Sequence, residues 1–72
     1  MKQLSNREKE ILNLIISGNS TAKISDLLCI SKRTVDAHRR NIISKTGVRS
    51  QIGFYKYAIA NNLINSETNI NN

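Results

Sequence analysis

Residues 30–47 read ISKRTVDAHRRNIISKTG, and this stretch decides the fold. Ser31 is a hydroxyl suited to start a helix, and Gly47 supplies the left-handed residue that ends one. Between them the pattern predicts a helix over about 32–46. At ~100° per residue, Val35, Ile42 and Thr46 share one face, with His38 and Arg39 at its margins. The opposite face collects Arg33, Asp36, Ala37, Arg40, Asn41 and Ser44. Lys32, Arg33, Arg39, Arg40 and Lys45 crowd this helix, Arg49 follows just outside, and only Asp36 opposes them. A helix needing solubility alone can mix its signs. This one implies an acidic partner.

The charge partition sharpens the point. The chain has 72 residues and a net charge of +6. Residues 1–30 carry +1, residues 31–49 carry +5, and residues 50–72 carry none. Nearly all the excess falls on one segment, as an electrostatic footprint for phosphates requires.

Working outward, helices are the default, because proline is absent and no alternating strand pattern occurs. Ser5-Asn6-Arg7-Glu8 has the spacing of a capping box, in which hydroxyl and carboxylate each bond the other's backbone N–H. Ile11, Leu12, Leu14, Ile15 and Ile16 follow, with Gly18 as the stop, giving a first helix over roughly 6–17. Ser20 or Thr21 caps a short second helix whose apolar positions are Ile24, Leu27 and Leu28. Ser50 caps a fourth over roughly 51–61. Beyond residue 64 the tail is polar and Asn-rich, and its composition predicts disorder over 65–72. The domain is thus expected to span 1–64.

A short helix, a tight turn and a longer helix make a helix-turn-helix. In that geometry the second helix enters the major groove of DNA. Its outer face carries the groups that read base edges: Arg for guanine, Asn for adenine, Asp for the cytosine amino group, Ala against a thymine methyl. Arg33, Asp36, Ala37, Arg40, Asn41 and Ser44 are therefore the candidate base contacts. Lys32 and Lys45, at the helix ends, suit phosphates. So do the hydroxyls and backbone N–H groups of Ser20 and Thr21 at the start of the shorter helix.

LSNREKEILNLIISGNST (4–21) and KISDLLCISKRTVDAHRRNIISKTGV (23–48) together resemble the LuxR/GerE-type DNA-binding domain of bacterial response regulators and quorum sensors. The signature is TV-x-x-H-x-x-N-I-x-x-K after a Leu-x-Ile-Ser turn, preceded by R-E-x-E-I-L. The resemblance covers about residues 4–64. It implies a four-helix domain whose third helix reads DNA and whose fourth often supports dimerisation. Carried over by position, it assigns bases to Asp36, Ala37 and Arg40. Phosphates fall to Thr21, Lys32, Arg33, Thr34, His38, Lys45 and Arg49. Three departures bear on the target: Asp36 stands where many members have Lys, Thr21-Ala22-Lys23 replaces a common Asn-Lys-Glu, and Gln51 replaces a common Arg that would contact the backbone.

Composition excludes other classes. One cysteine and one histidine cannot make a disulfide or a four-ligand zinc site. No nucleophile–base pair, metal cluster or phosphate loop stands in the chain, so neither an enzyme nor a cofactor or small-molecule site is expected. Nothing reads as a membrane span or signal peptide, and the expected location is the cytoplasm. Cys29 is expected as a small buried hydrophobe at the turn. The fourth helix has two apolar stripes: Ile52, Tyr55, Ile59 and Leu63, and Phe54, Tyr57 and Ala58. One stripe suffices for the core, and the spacing does not say which faces inward. Phe54, Tyr57 and Ala58 are the candidate self-association surface, with completion of a small core as the other reading.

The sequence thus predicts an all-α, four-helix helix-turn-helix domain with the third helix as recognition helix. Its expected partners are double-stranded DNA, a second copy through the fourth helix, and RNA polymerase. Two rivals stand beside this reading. One is a promoter-recognition module like region 4 of a sigma factor, and the other a helical protein-interaction adaptor without DNA binding.

Overall fold

The computed structural model describes residues 3–63. They form α1 (Asn6–Ile16), α2 (Thr21–Leu28), α3 (Lys32–Thr46) and α4 (Gln51–Ala60), with no strand among them. The fold is all-α, as expected, and the bounds of α1, α3 and α4 lie within a residue of those expected, while α2, expected without bounds, starts at Thr21. The polar tail expected over 65–72 lies outside the described residues.

Serine starts every helix. Ser5, Ser20, Ser31 and Ser50 hold extended backbone and accept from the N–H of Glu8, Lys23, Thr34 and Gly53, at 3.0–3.1 Å. Each satisfies a donor that the first helical turn cannot pair internally, worth about 1 kcal/mol. Glu8 closes the capping box, its Oε1 accepting from Ser5 N–H at 2.8 Å. At the other ends, Gly47 takes φ +72° and donates to Ile43 O at 2.8 Å.

Helix α1 is the hub, packing on α2, α3 and α4, while α2 and α3 pack on each other. Ile11, Leu12, Ile15, Ile24, Val35, Ile42, Phe54 and Ala58 are all essentially inaccessible to solvent. Each large side chain among them contributes about 1.5–3 kcal/mol on burial. The two halves of the helix-turn-helix therefore hang from α1 through a few residues: Ile24 from α2, Val35 and Ile42 from α3.

Two expectations are corrected here. Phe54 and Ala58, assigned to self-association, are fully buried in the core, and Tyr57 is half-buried against it. The exposed stripe of α4 is instead Ile52 and Tyr55, at 68% and 38% accessibility. The reason lies in the approach of α4 to α1. The helix packs on α1, and the Phe54–Ala58 side is the one that joins the core there. A Cβ on Gly53 would stand 2.5 Å from Val48 Cγ1, so the chain leaving α3 lies against the start of the same helix. Cys29 is exposed rather than buried. It is the C-cap of α2, in the left-handed region at φ +57°, and that conformation carries its side chain outward.

Candidate nucleic-acid interface

The turn between α2 and α3 is short and closed by backbone bonds, Cys29 N–H to Asp26 O at 3.3 Å and Ile30 N–H to Ser25 O at 3.1 Å. Ser31 then starts α3, and its Oγ lies 2.9 Å from Thr34 Oγ1. Thr34, expected on a phosphate, is exposed and shares its hydroxyl with this cap. At the far end, Thr46 Oγ1 donates to Ile42 O at 2.8 Å and accepts from Val48 N–H at 3.1 Å, fixing the exit from the helix.

With Val35 and Ile42 inward, Lys32, Arg33, Asp36, Arg40, Asn41 and Ser44 are exposed together on the outer side of α3. Ala37 is half-buried on the same side among these longer side chains, His38 and Arg39 are half-buried along the margins, and Arg49 is exposed just beyond the helix. The sequence-predicted base-reading group is thus brought onto one surface. Among the described residues the only ion pairs are Arg7–Glu10 at 3.5 Å and Lys45–Glu8 at 2.8 Å. Lys32, Arg33, Arg39, Arg40 and Arg49 therefore present charge that no carboxylate of the described fold neutralises. At the start of α2, Ser20 is exposed and Thr21 half-buried, and the first backbone N–H groups of that helix have no partner within it.

Lys45 is the correction on this face. Its ammonium donates to Glu8 Oε1 at 2.8 Å and to Gln3 O at 3.3 Å. Its side chain is 25% exposed, and that of Glu8 only 5%. Burial by itself pushes the Glu8 carboxyl up, but the bonds from Lys45 and from Ser5 outweigh it and hold the carboxyl below its ordinary value. The lysine thus spends its charge inside the fold. A signal for this stood in the sequence: Glu8 lies three, four and seven residues before Ile11, Leu12 and Ile15, on the apolar face of α1. A carboxylate there requires a partner.

Gln51 also has a role the resemblance did not imply. Its Nε2 donates to Ile15 O at 2.6 Å, a second hydrogen bond to a carbonyl that already accepts from Gly18 N–H at 3.0 Å, and joins the end of α1 to the start of α4.

The amino-acid sequence matches the family described as bacterial regulatory proteins, luxR family, over residues 2–58. The chain belongs to that family. As a luxR-family chain it is a DNA-binding helix-turn-helix domain of transcription regulation. It is 46% identical over 57 residues to the uncharacterized response regulatory protein YgeK of Escherichia coli, covering 79% of this chain and 39% of that protein. It is 53% identical over 47 residues to the transcriptional regulatory protein TdiR of Thauera aromatica, covering 65% and 21%. Among solved structures, the response regulator ChrA of a heme-sensing two-component system superposes with a TM-score of 0.79 at 36% identity, covering 89% of this chain and 32% of that one. The luxR-family domain therefore spans less than half the length of these relatives. None of its described helices is long and apolar enough to cross a membrane.

Proposed function

We propose that this domain binds double-stranded DNA sequence-specifically, with α3 in the major groove and the start of α2 on a phosphate. The observation that carries the reading is the outer side of α3. It exposes Lys32, Arg33, Arg40 and Asn41 without an ion pair, while Val35 and Ile42 fix the helix from behind. Arg33, Arg40 and Asn41 have the geometry for guanine and adenine edges. Lys32 and Arg49 at the two ends, with Thr21, Thr34 and His38 beside the turn and the helix margin, hold the backbone and set the register.

Binding of this kind weakens with salt because phosphate contacts release counterions. If one domain neutralises about four phosphates, log K falls against log salt with a slope of roughly −3.6. Lys32→Ala is expected to reduce that slope by about 0.9, with little change in sequence preference. A protein-interaction adaptor would show no measurable affinity for the duplex, and that result would overturn the reading.

A second copy pairs with the first through α4. The support is the exposed stripe of Ile52 and Tyr55, with Ile59 half-buried on the same side. Two domains on one face of the duplex require half-sites about ten base pairs apart.

A further inference from the structure

Asp36 is the one carboxylate on the outer side of α3. Arg33 precedes it by three residues and Arg40 follows by four, spacings that place all three on adjacent turns. Even so, Asp36 pairs with neither among the described residues. It stands exposed, and Ala37 beside it carries only a methyl group, which leaves room for close approach.

On a surface laid against DNA, such a carboxylate lies near phosphates of its own sign, which costs binding free energy. A hydrogen donated from a base edge offsets that cost. In the major groove two bases donate one, cytosine from N4–H and adenine from N6–H. Adenine sets its N7 acceptor beside the amino group, and an acceptor repels a carboxylate. Cytosine sets a C–H there. We propose that Asp36 is a specificity-determining residue that selects cytosine, its carboxylate accepting a hydrogen bond from N4–H. The inference rests on the groove-entering role given to α3 above. Arg33 and Arg40, unpaired, remain available for guanine, so one G·C pair can be read from both of its bases.

The test begins by selecting bound duplexes from a random pool with the full chain. The wild type, Asp36→Ala and Asp36→Asn are then measured on the preferred duplex, on its single-base variants, and on copies carrying N4-methylcytosine at each cytosine in turn. Watson–Crick pairing turns that methyl group into the major groove, where it replaces the hydrogen Asp36 accepts and leaves the pair intact. At one cytosine, the wild type is expected to lose affinity roughly 5- to 150-fold on base replacement, and to lose affinity on methylation as well. Asp36→Ala should be indifferent to methylation at that cytosine, lose part of the discrimination on base replacement there, and bind random DNA more tightly. Asp36→Asn should accept adenine there, since an amide both donates to N7 and accepts from N6–H. Uniform tightening by Asp36→Ala with selectivity unchanged, or indifference of the wild type to methylation at every cytosine, overturns the inference and leaves the groove reading standing. Absence of salt-dependent binding by the wild type to any duplex would overturn both.

Discussion

Lys45 Nζ stands 2.8 Å from Glu8 Oε1 and ties the last turn of α3 to the first turn of α1. The same carboxylate oxygen accepts from Ser5 N–H, so one atom closes the cap of α1 and holds the far end of α3. Lys45→Met keeps the apolar stem and removes the charge, leaving Glu8 buried without its cation. Breaking a buried pair this way costs about 3–5 kcal/mol, and the partial exposure of Lys45 lowers the expectation to about 2–4 kcal/mol. Urea unfolding measures it. A loss within about 0.5 kcal/mol, the range of ordinary surface changes, would return Lys45 to the DNA face. The matching expectation is that Lys45→Met leaves the salt slope of binding unchanged, unlike Lys32→Ala.

The same pair makes stability depend on pH. In the unfolded chain Glu8 titrates near its ordinary value of 4.5, and in the folded domain it titrates lower. Between those values the unfolded state binds more protons, so stability rises with pH there. The contribution is fully present well above 4.5 and is lost as the pH falls through 4.5 towards the folded value. Glu8→Gln should be less stable at neutral pH and flatter on acidification. Parallel loss of stability in wild type and variant across that window would show that Glu8 is not the titrating group.

Cys29 carries a backbone cost. A non-glycine residue in the left-handed region gives up about 1–2 kcal/mol, and glycine escapes it. Cys29→Gly is expected to stabilise the domain by about 1 kcal/mol, part of the gain being returned to the freer unfolded chain. Cys29→Val, branched at Cβ, should destabilise it instead. Thermal unfolding under reducing conditions ranks the three, and any other order removes the conformational explanation.

What the sequence disclosed and what it hid follow from how each feature is encoded. Helix starts are local: a serine three residues before a free N–H is legible at Ser5, Ser31 and Ser50. At the second helix the adjacent hydroxyls of Ser20 and Thr21 leave two candidates, of which Ser20 is the cap. The outer side of α3 was legible because Val35 and Ile42 leave only one way to orient that helix. Helix α4 has Ile52, Phe54, Tyr55, Tyr57, Ala58 and Ile59 spread around it, so its periodicity has no direction. Tertiary contact decides there, through the packing of α4 on α1. Glu8 on the apolar face of α1 announced that some cation must meet it, but that the cation is Lys45, like the bond of Gln51, was hidden for a related reason. Their partners, Glu8 and Ile15 O, lie 37 and 36 residues away, and neither pairing leaves a mark on its own helix.

The reassigned stripe of α4 gives the last prediction. Ile52 and Tyr55 sit three residues apart, and Ile59 continues the line four residues on, so they form one ridge along the helix. An exposed isoleucine and tyrosine on adjacent turns lose surface to solvent when a second ridge meets them, whereas Phe54 and Ala58 have no surface left to lose. Ile52→Lys should therefore leave the fold intact, weaken self-association in sedimentation equilibrium, and reduce binding to paired half-sites more than to a single one. Phe54→Lys forces a charge into the core and should unfold the domain instead. The contrast is diagnostic. A folded Phe54→Lys that had lost only pairing, beside an Ile52→Lys that paired normally, would restore the Phe54 side of α4 as the association surface.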